Sequence, residues 1–313
     1  MPSLSALTRR PALPAVRRLT LATVVALTAI VGTGGAVRLT QSGLGCDSWP
    51  NCGNEDGWHA LVEYGNRLAG AAVGVVILLT LVAVHRLDAR RPDLRRLSWA
   101  LAAGFLGQAA LGALSVALKL PPGIVVAHFL LSMVLVAIAA VLHSRTAPAP
   151  VAPPAPVRPE LRWLAVALVI GTAVVVMLGT LTTGTGPHSG ANPTQPAPRF
   201  TFLPLHVISM VHGNAAILVV GLAVANLLVI RITDAGTELV RRSALVVAAV
   251  SLQAVIGITQ YALGLPRALV DAHMIGATLL WLAVLGHLLA VRRAPRSLPA
   301  GERIASPDVP APA

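Results

Sequence analysis

The sequence has little charge, few acidic residues and almost no cysteine. Only 12% of its 313 residues are charged, whereas globular domains carry roughly 25%, and its mean hydropathy is +0.75. This composition excludes an ordinary soluble domain and indicates a polytopic membrane protein. Basic residues outnumber acidic ones by 24 to 12. They fall in short segments between apolar runs, so they indicate membrane topology and not nucleic-acid binding.

Cys46 and Cys52 are the only cysteines, and both lie between the first two apolar runs. Two thiolates alone make a poor zinc site, because zinc takes three or four protein ligands. A segment on the outer side of the membrane permits a disulfide, and five intervening residues that include Pro50 can close the ring. We therefore expect a Cys46–Cys52 disulfide, of either a structural or a redox-active kind.

Apolar runs of roughly 20 residues, long enough to cross a bilayer, occur about eight times. The predicted spans are residues 19–38, 61–85, 96–118, 123–143, 161–182, 204–230, 242–263 and 268–290. Arginines cluster in alternate connecting segments, which are 9–18, 86–96, 145–162, 231–242 and 292–296. The positive-inside rule places these segments and both termini in the cytoplasm. The first run is long and lacks a clear cleavage site, so we interpret it as a retained span.

The two halves of the chain contain an internal repeat. Three matches between the halves share an offset of 145 residues. Gln108–Gly112 matches Gln253–Gly257, Ala127-His128 matches Ala272-His273, and Pro121 matches Pro266. Asn66 aligns with His212 at an offset of 146. Each half has four spans, so both halves have the same orientation and form a parallel repeat.

The repeat predicts an all-α membrane protein of two four-helix bundles side by side. The predicted domains are an N-terminal bundle (1–146), a Pro/Ala-rich cytoplasmic linker (147–159), a C-terminal bundle (160–296) and a disordered tail (297–313). Linkers of such composition are semi-rigid. Gln108 and Gln253 are candidates for hydrogen bonds between helices.

Three histidines lie within apolar runs, about two turns from the outer ends, and these are His128, His212 and His273. Equivalent histidines on facing helices favour a ligand role over a hydrogen-bonded core residue, and bundle cores hold such cofactors. Haem fits best, because it is flat, apolar and takes axial imidazoles. We expect His212 and His273 to hold one haem iron, with His206 as the alternative to His212. By contrast, His85, His143 and His287 lie beside arginines at cytoplasmic ends, where we expect interfacial positions.

The first half has only His128, because Asn66 stands where the second half has His212. Glu63, Asn66 and Arg67 share one helical face at the start of the second span. A carboxylate at this depth is costly and marks a functional candidate, although a structural Glu63–Arg67 ion pair is the alternative. The asymmetry suggests a cofactor in the second half and a substrate in the first.

Taken together, these residues resemble the haem A synthases, which are eight-span proteins of two four-helix bundles with haem-ligating histidines on even-numbered spans. The resemblance covers about residues 19–290 and rests on the Glu63–Arg67 segment, the three histidines and the cysteine pair. That family commonly has histidine where Asn66 stands, so this chain departs from the pattern there.

The resemblance implies that haem O is the substrate and that its C8 methyl group is oxidised to a formyl, which gives haem A. Glu63, Asn66 and Arg67 would then be catalytic, and His128 would bind the substrate iron. Haem b in the second half would relay electrons. Arg67, with Arg38 as a second candidate, would pair with a haem propionate.

The implied location is the plasma membrane, among lipid, with haem O synthase or a terminal oxidase as possible partners. Two other functions share the same residues. One is a bis-histidine b-type cytochrome that exchanges electrons with quinone, and the other is a haem carrier. Oligomeric state is not predicted.

Overall fold

Eight long helices make up most of the residues that this computed structural model describes, which are 12–46, 48–53, 57–87, 91–148, 156–191, 196–202 and 204–295. In chain order they are α1 (Leu13–Leu39), α2 (Trp58–His85), α3 (Pro92–Ala117), α4 (Pro122–Arg145), α5 (Pro159–Thr185), α6 (Leu205–Ile232), α7 (Thr237–Ala262) and α8 (Arg267–Arg293). All are long and apolar enough to cross a membrane. Each predicted span coincides with one helix, so the number and order of the spans are confirmed.

Several helices begin earlier than the predicted spans, on the arginine-rich side. α1 begins at Leu13, α3 at Pro92 and α7 at Thr237. Hydropathy measures only the apolar part of a helix, whereas backbone hydrogen bonding continues until the chain turns. Proline in the first turn starts α1, α3, α4 and α5, because the first helical N–H groups have no partner to lose.

The helices pack as two four-helix bundles. In the first, α1 and α3 each pack against α2 and α4, and in the second, α5 and α7 each pack against α6 and α8. Between the bundles, α8 packs against α1 and α4, and α4 packs against α5. The predicted all-α architecture is thereby confirmed. The helices in contact between the bundles are α1, α4, α5 and α8. His128 on α4 and His273 on α8 therefore lie on central helices, whereas α6, which carries His212, packs only within the second bundle.

Hydrogen bonds fix the two bundles against each other. At the C-terminal end of α1, Nε and Nη2 of Arg38 donate to the carbonyls of His188 and Thr183, both at 2.8 Å. Near the middle, the indole N–H of Trp281 donates to the carbonyl of Met133 at 3.0 Å. These bonds cross from one repeat to the other and therefore fix the position of one bundle relative to the other.

The prediction that His287 is interfacial is wrong. This side chain is fully buried in the second bundle, and the Asn226 amide lies 2.9 Å from its Nε2 and donates to the Ser243 hydroxyl at 2.9 Å. Since these three side chains come from three helices, the sequence near His287 alone could not show that polar partners were available.

The described residues cover only part of the predicted linker. Residues 149–155 lie outside them, as does the predicted tail, 297–313. At the end of the linker, Val157 is 1% exposed, and its N–H donates to the carbonyl of Pro295 at 2.8 Å. This last part of the linker therefore packs beside the C-terminal end of α8. The domain boundaries themselves stay a prediction.

Candidate functional site

One large cavity receives residues from both bundles. Its volume is about 1100 Å³, just above the range of roughly 300–1,000 Å³ that is usual for ligand pockets. The predicted site residues of both halves line it, namely Glu63, Asn66, Arg67, His128, His206, His212 and His273. Its walls are mainly apolar side chains, which suits flat apolar ligands larger than an ordinary metabolite.

In the second bundle, His212 on α6 faces His273 on α8. Their ring centres are 6.3 Å apart and the ring planes are inclined by 80°. Two imidazole nitrogens on opposite sides of one metal ion, each about 2 Å from it, would put the ring centres about 6 Å apart. The pair therefore fits the axial ligation of one haem iron. His206 also lines the cavity, but the structure places His212 opposite His273.

Hydrogen bonding sets which nitrogen of His212 is free. Its Nδ1 lies 3.1 Å from the carbonyl of Val175 on α5, so Nδ1 carries the proton and Nε2 is the nitrogen left for a ligand. Nδ1 of His273 is buried without a hydrogen-bond partner among the described residues. This Nδ1 is enclosed by protein and does not face the cavity, so Nε2 is the nitrogen of His273 that would take a metal.

Glycines make room for the imidazole rings. A Cβ at Gly179 would lie 3.1 Å from Cε1 of His212, and a Cβ at Gly257 would lie 3.3 Å from Cε1 of His273. These distances are tighter than normal packing. Gly257 ends the repeated segment Gln253–Gly257, so the close approach gives a physical reason for that glycine.

In the first bundle, His128 on α4 has a similar setting. A Cβ at Gly112 would lie 3.7 Å from its Cε1, and its Nδ1 is buried without a partner among the residues described. Gln108 on α3 donates to the carbonyl of His128 at 3.1 Å and to the hydroxyl of Ser132 at 2.7 Å. Gln108 therefore joins α3 to α4 and fixes the backbone that carries His128, as the interhelical interpretation predicted.

Glu63 is 5% exposed and has donors on both carboxylate oxygens. Nη2 of Arg67 lies 2.6 Å from Oε1, and the backbone N–H of Cys46 donates to Oε2 at 3.0 Å. The Glu63–Arg67 ion pair that the sequence offered as an alternative is therefore present. It leaves the carboxylate in the wall of the cavity, one helical turn before Asn66.

Arg67 also binds the loop that contains the cysteines. Its Nη1 donates to the carbonyls of Ser48, Pro50 and Asn51 at 2.6, 3.1 and 3.0 Å. Arg38, the second candidate for a propionate partner, is bound to backbone carbonyls of the other bundle. Both guanidinium groups thus have protein partners, and no sequence pattern indicated these contacts.

The predicted disulfide between Cys46 and Cys52 is present. Cys46 is 2% exposed, and its backbone N–H is the one that binds Glu63. The disulfide, Arg67 and Glu63 therefore form one connected unit at the N-terminal end of α2. Across the described part of the chain, no three His, Cys, Asp or Glu residues cluster as a metal site.

Sequence reasoning missed Asp271 on α8. Its Oδ1 is buried without a hydrogen-bond partner within the described ranges, and its carboxyl group lies against Gly35 of α1. Glu63 and Asp271 are the only acidic residues inside the predicted spans. The rule that drew attention to Glu63, that intramembrane carboxyl groups are functional candidates, would have found Asp271 too.

Comparison with known proteins adds the family. No curated protein matches the chain. A family model described as cytochrome oxidase assembly protein, COX15-CtaA, matches residues 55–285. This range contains α2 to α7, most of α8 and every candidate site residue except Arg38, Cys46 and Cys52. The resemblance to the haem A synthases is confirmed at the level of the family. Because the match covers well over half of the sequence, the chain belongs to the COX15-CtaA family of cytochrome oxidase assembly proteins.

Proposed function

We propose that this protein oxidises the C8 methyl group of haem O to a formyl group, which makes haem A for a terminal oxidase. The observation that carries the proposal is the asymmetry between two equivalent sites. One bundle has paired histidines at metal-bridging distance, and the other has a single histidine with a buried carboxylate in the same cavity. A cytochrome that only transfers electrons would not need the second arrangement.

In the second bundle, His212 and His273 would hold haem b. Bound there, haem b supplies one-electron transfer. The protein's part is to orient the ligands: the carbonyl of Val175 fixes the tautomer of His212, and Gly179 and Gly257 let the rings approach their helices. The apolar wall of the bundle limits access of water.

In the first bundle, His128 would bind the substrate iron and so orient the edge of the porphyrin. Conversion of a ring methyl to a formyl group removes four electrons and four protons and adds one oxygen atom, which water would supply. The electrons would leave one at a time by way of haem b to an acceptor outside the protein, and their removal makes the methyl carbon electron-poor. The negative charge of Glu63 is fixed in an apolar wall by Arg67 and Cys46, where it can stabilise that developing charge or accept a proton. The same cavity is lined by His128 and by the His212–His273 pair.

The proposed setting is the plasma membrane, with both termini in the cytoplasm and the disulfide outside. Haem O, a lipid-soluble substrate, would enter from the membrane, supplied by a haem O synthase. The product would pass to the oxidase. Both partners are inferred from the chemistry of substrate and product and from the role of the family in cytochrome oxidase assembly.

The test is to express the protein with a haem O source, extract the haem from the purified membranes and separate it by chromatography. Haem A or a hydroxylated haem O is expected, and both should disappear in His128→Ala. Haem b as the sole haem, in protein that retains the low-spin spectrum, would contradict the proposal and favour the electron-transfer cytochrome.

A further inference from the structure

The first bundle contains an open space at the position where a fourth imidazole would stand. Gly34 on α1 is the counterpart of Gly179 on α5, at the repeat offset of 145 residues. A Cβ at Gly179 would lie 3.1 Å from the ring of His212, but a Cβ at Gly34 meets nothing within 4 Å. Gly34 and Asn66 both line the cavity. The first bundle therefore keeps the glycine that leaves room for an imidazole ring, although it has no histidine at Asn66 to occupy that room.

Asn66 does not fill this space, because it is held by a residue of the neighbouring helix. The hydroxyl of Thr33 on α1 donates to Oδ1 of Asn66 at 2.7 Å. In the second half the counterpart of Thr33 is Leu178, which has no hydroxyl to offer. Asn66 and Thr33 thus form a pair found in only one of the two repeats. With Oδ1 engaged, the amide NH₂ is the end of Asn66 that is left to donate.

We propose that the first bundle has a small-ligand site beside Gly34, where a ligand no larger than a few atoms binds the haem iron opposite His128 and accepts a hydrogen bond from the Asn66 amide. This inference rests on the proposed haem site at His128. The ligand class is a small hydrogen-bond acceptor, such as water, hydroxide or cyanide. The second bundle cannot take such a ligand, since His212 occupies the equivalent place.

Other nearby groups do not compete for this position. An amide nitrogen has no free lone pair for a metal, and the amide oxygen is bound to Thr33. Arg67 is held by Glu63 and three loop carbonyls, and Glu63 is held by Arg67 and Cys46. Asn66 is therefore the polar side chain best placed to act on a ligand in this space.

Cyanide tests the site, because its binding to ferric haem changes the absorption spectrum whether or not the protein makes haem A. In the purified, haem-loaded protein, one haem should bind cyanide while the haem held by His212 and His273 keeps its low-spin spectrum. Asn66→His should fill the space and abolish the change. Gly34→Leu should weaken cyanide binding strongly, and Gly34→Ala should fold normally because its Cβ meets no atom.

Thr33→Val tests whether cyanide binding needs an oriented Asn66 amide or only the empty space beside Gly34. Valine keeps the shape of threonine but removes the hydroxyl, so cyanide affinity should fall by about two- to tenfold, the worth of one neutral hydrogen bond. Unchanged affinity in Thr33→Val together with unchanged affinity in Asn66→Ala would overturn the role of the amide. Cyanide binding to neither haem, or cyanide binding that persists in Asn66→His, would overturn the site.

The cyanide result and the haem A result can fail separately. If cyanide binds one haem in an Asn66-dependent way but no haem A forms, the small-ligand site stands and the proposed oxidation fails. If haem A forms but no haem binds cyanide, the oxidation stands and this inference is overturned.

Discussion

Replacing Glu63 with Gln gives the sharpest test of the connected unit at the N-terminal end of α2. Both carboxylate oxygens of Glu63 accept hydrogen bonds, from Arg67 at 2.6 Å and from the N–H of Cys46 at 3.0 Å. Glutamine has one acceptor and one donor at these positions. Whichever way the amide turns, its NH₂ group faces another donor, so one of the two bonds is lost.

The expected cost follows from burial. The Glu63 and Arg67 side chains are only 7% and 13% exposed, and removal of one partner of a buried ion pair costs about 3–5 kcal/mol. Arg67 keeps its three loop carbonyls and glutamine keeps one acceptor. The loss should therefore be smaller, about 1–3 kcal/mol, close to the penalty for leaving one buried donor unsatisfied.

A matched control is Glu238→Gln. Glu238, like Glu63, forms ion pairs with arginine, in this case with Arg241 and Arg242. Its side chain, however, is 54% exposed. Exposed ion pairs contribute about 0–1 kcal/mol, so Glu238→Gln should lower the melting temperature of the purified protein less than Glu63→Gln does. Equal melting temperatures for Glu63→Gln and the wild type would refute the stabilising role of the buried Glu63–Arg67 pair.

The same variant separates stability from chemistry. Haem b content reports whether the second bundle is folded, and extracted haem A reports turnover. If Glu63 assists oxidation, folded Glu63→Gln should contain haem b and bound haem O but little haem A. Normal haem A production per folded protein would sink the catalytic role, whereas low yield of all haems would leave only the structural role.

Three further predictions concern the rest of the site. His212→Ala and His273→Ala should each abolish the low-spin bis-histidine spectrum, while His206→Ala should keep it; a low-spin spectrum retained in both of the first two variants would defeat the assignment. Thiol labelling of fresh membranes should modify Cys46 and Cys52 only after reduction, and full labelling without reductant would count against the disulfide. Asn66→Ala should reduce haem O binding less than His128→Ala does, since a carboxamide is a poor iron ligand, and equal loss in both would argue against a single-histidine site.

Those parts of the fold and site could be predicted that leave a continuous pattern along the chain or recur in both halves of it. A span needs roughly 20 apolar residues in a row, so eight helices could be counted without any knowledge of packing. The shared offset of 145 residues paired His128 with His273, and an offset of 146 paired Asn66 with His212, closely enough to predict two equivalent sites. The burial of Glu63 followed from its place at the start of an apolar run.

The partners of polar groups could not be predicted in this way. His287 was predicted to be interfacial because arginines follow it, but Asn226 and Ser243 from two other helices make its burial possible. Arg67 was expected to pair with Glu63 or with a haem propionate, and no pattern in the sequence indicated that it would also bind the carbonyls of a loop that begins almost twenty positions earlier. Asp271 drew no attention, because it has no acidic counterpart in the repeat: the residue 145 positions earlier is Val126.

The sequence by itself determined the number of spans, their orientation relative to one another and the residue types at each equivalent site, because hydropathy and repetition are properties of the chain read in order. Only the tertiary structure decided that His212, not His206, faces His273, that Thr33 holds Asn66 and that the space beside Gly34 is open. These outcomes depend on how helices far apart in sequence pack together. Hydrogen bonds and cavities form between helices, so their partners are set by packing and not by neighbours along the chain.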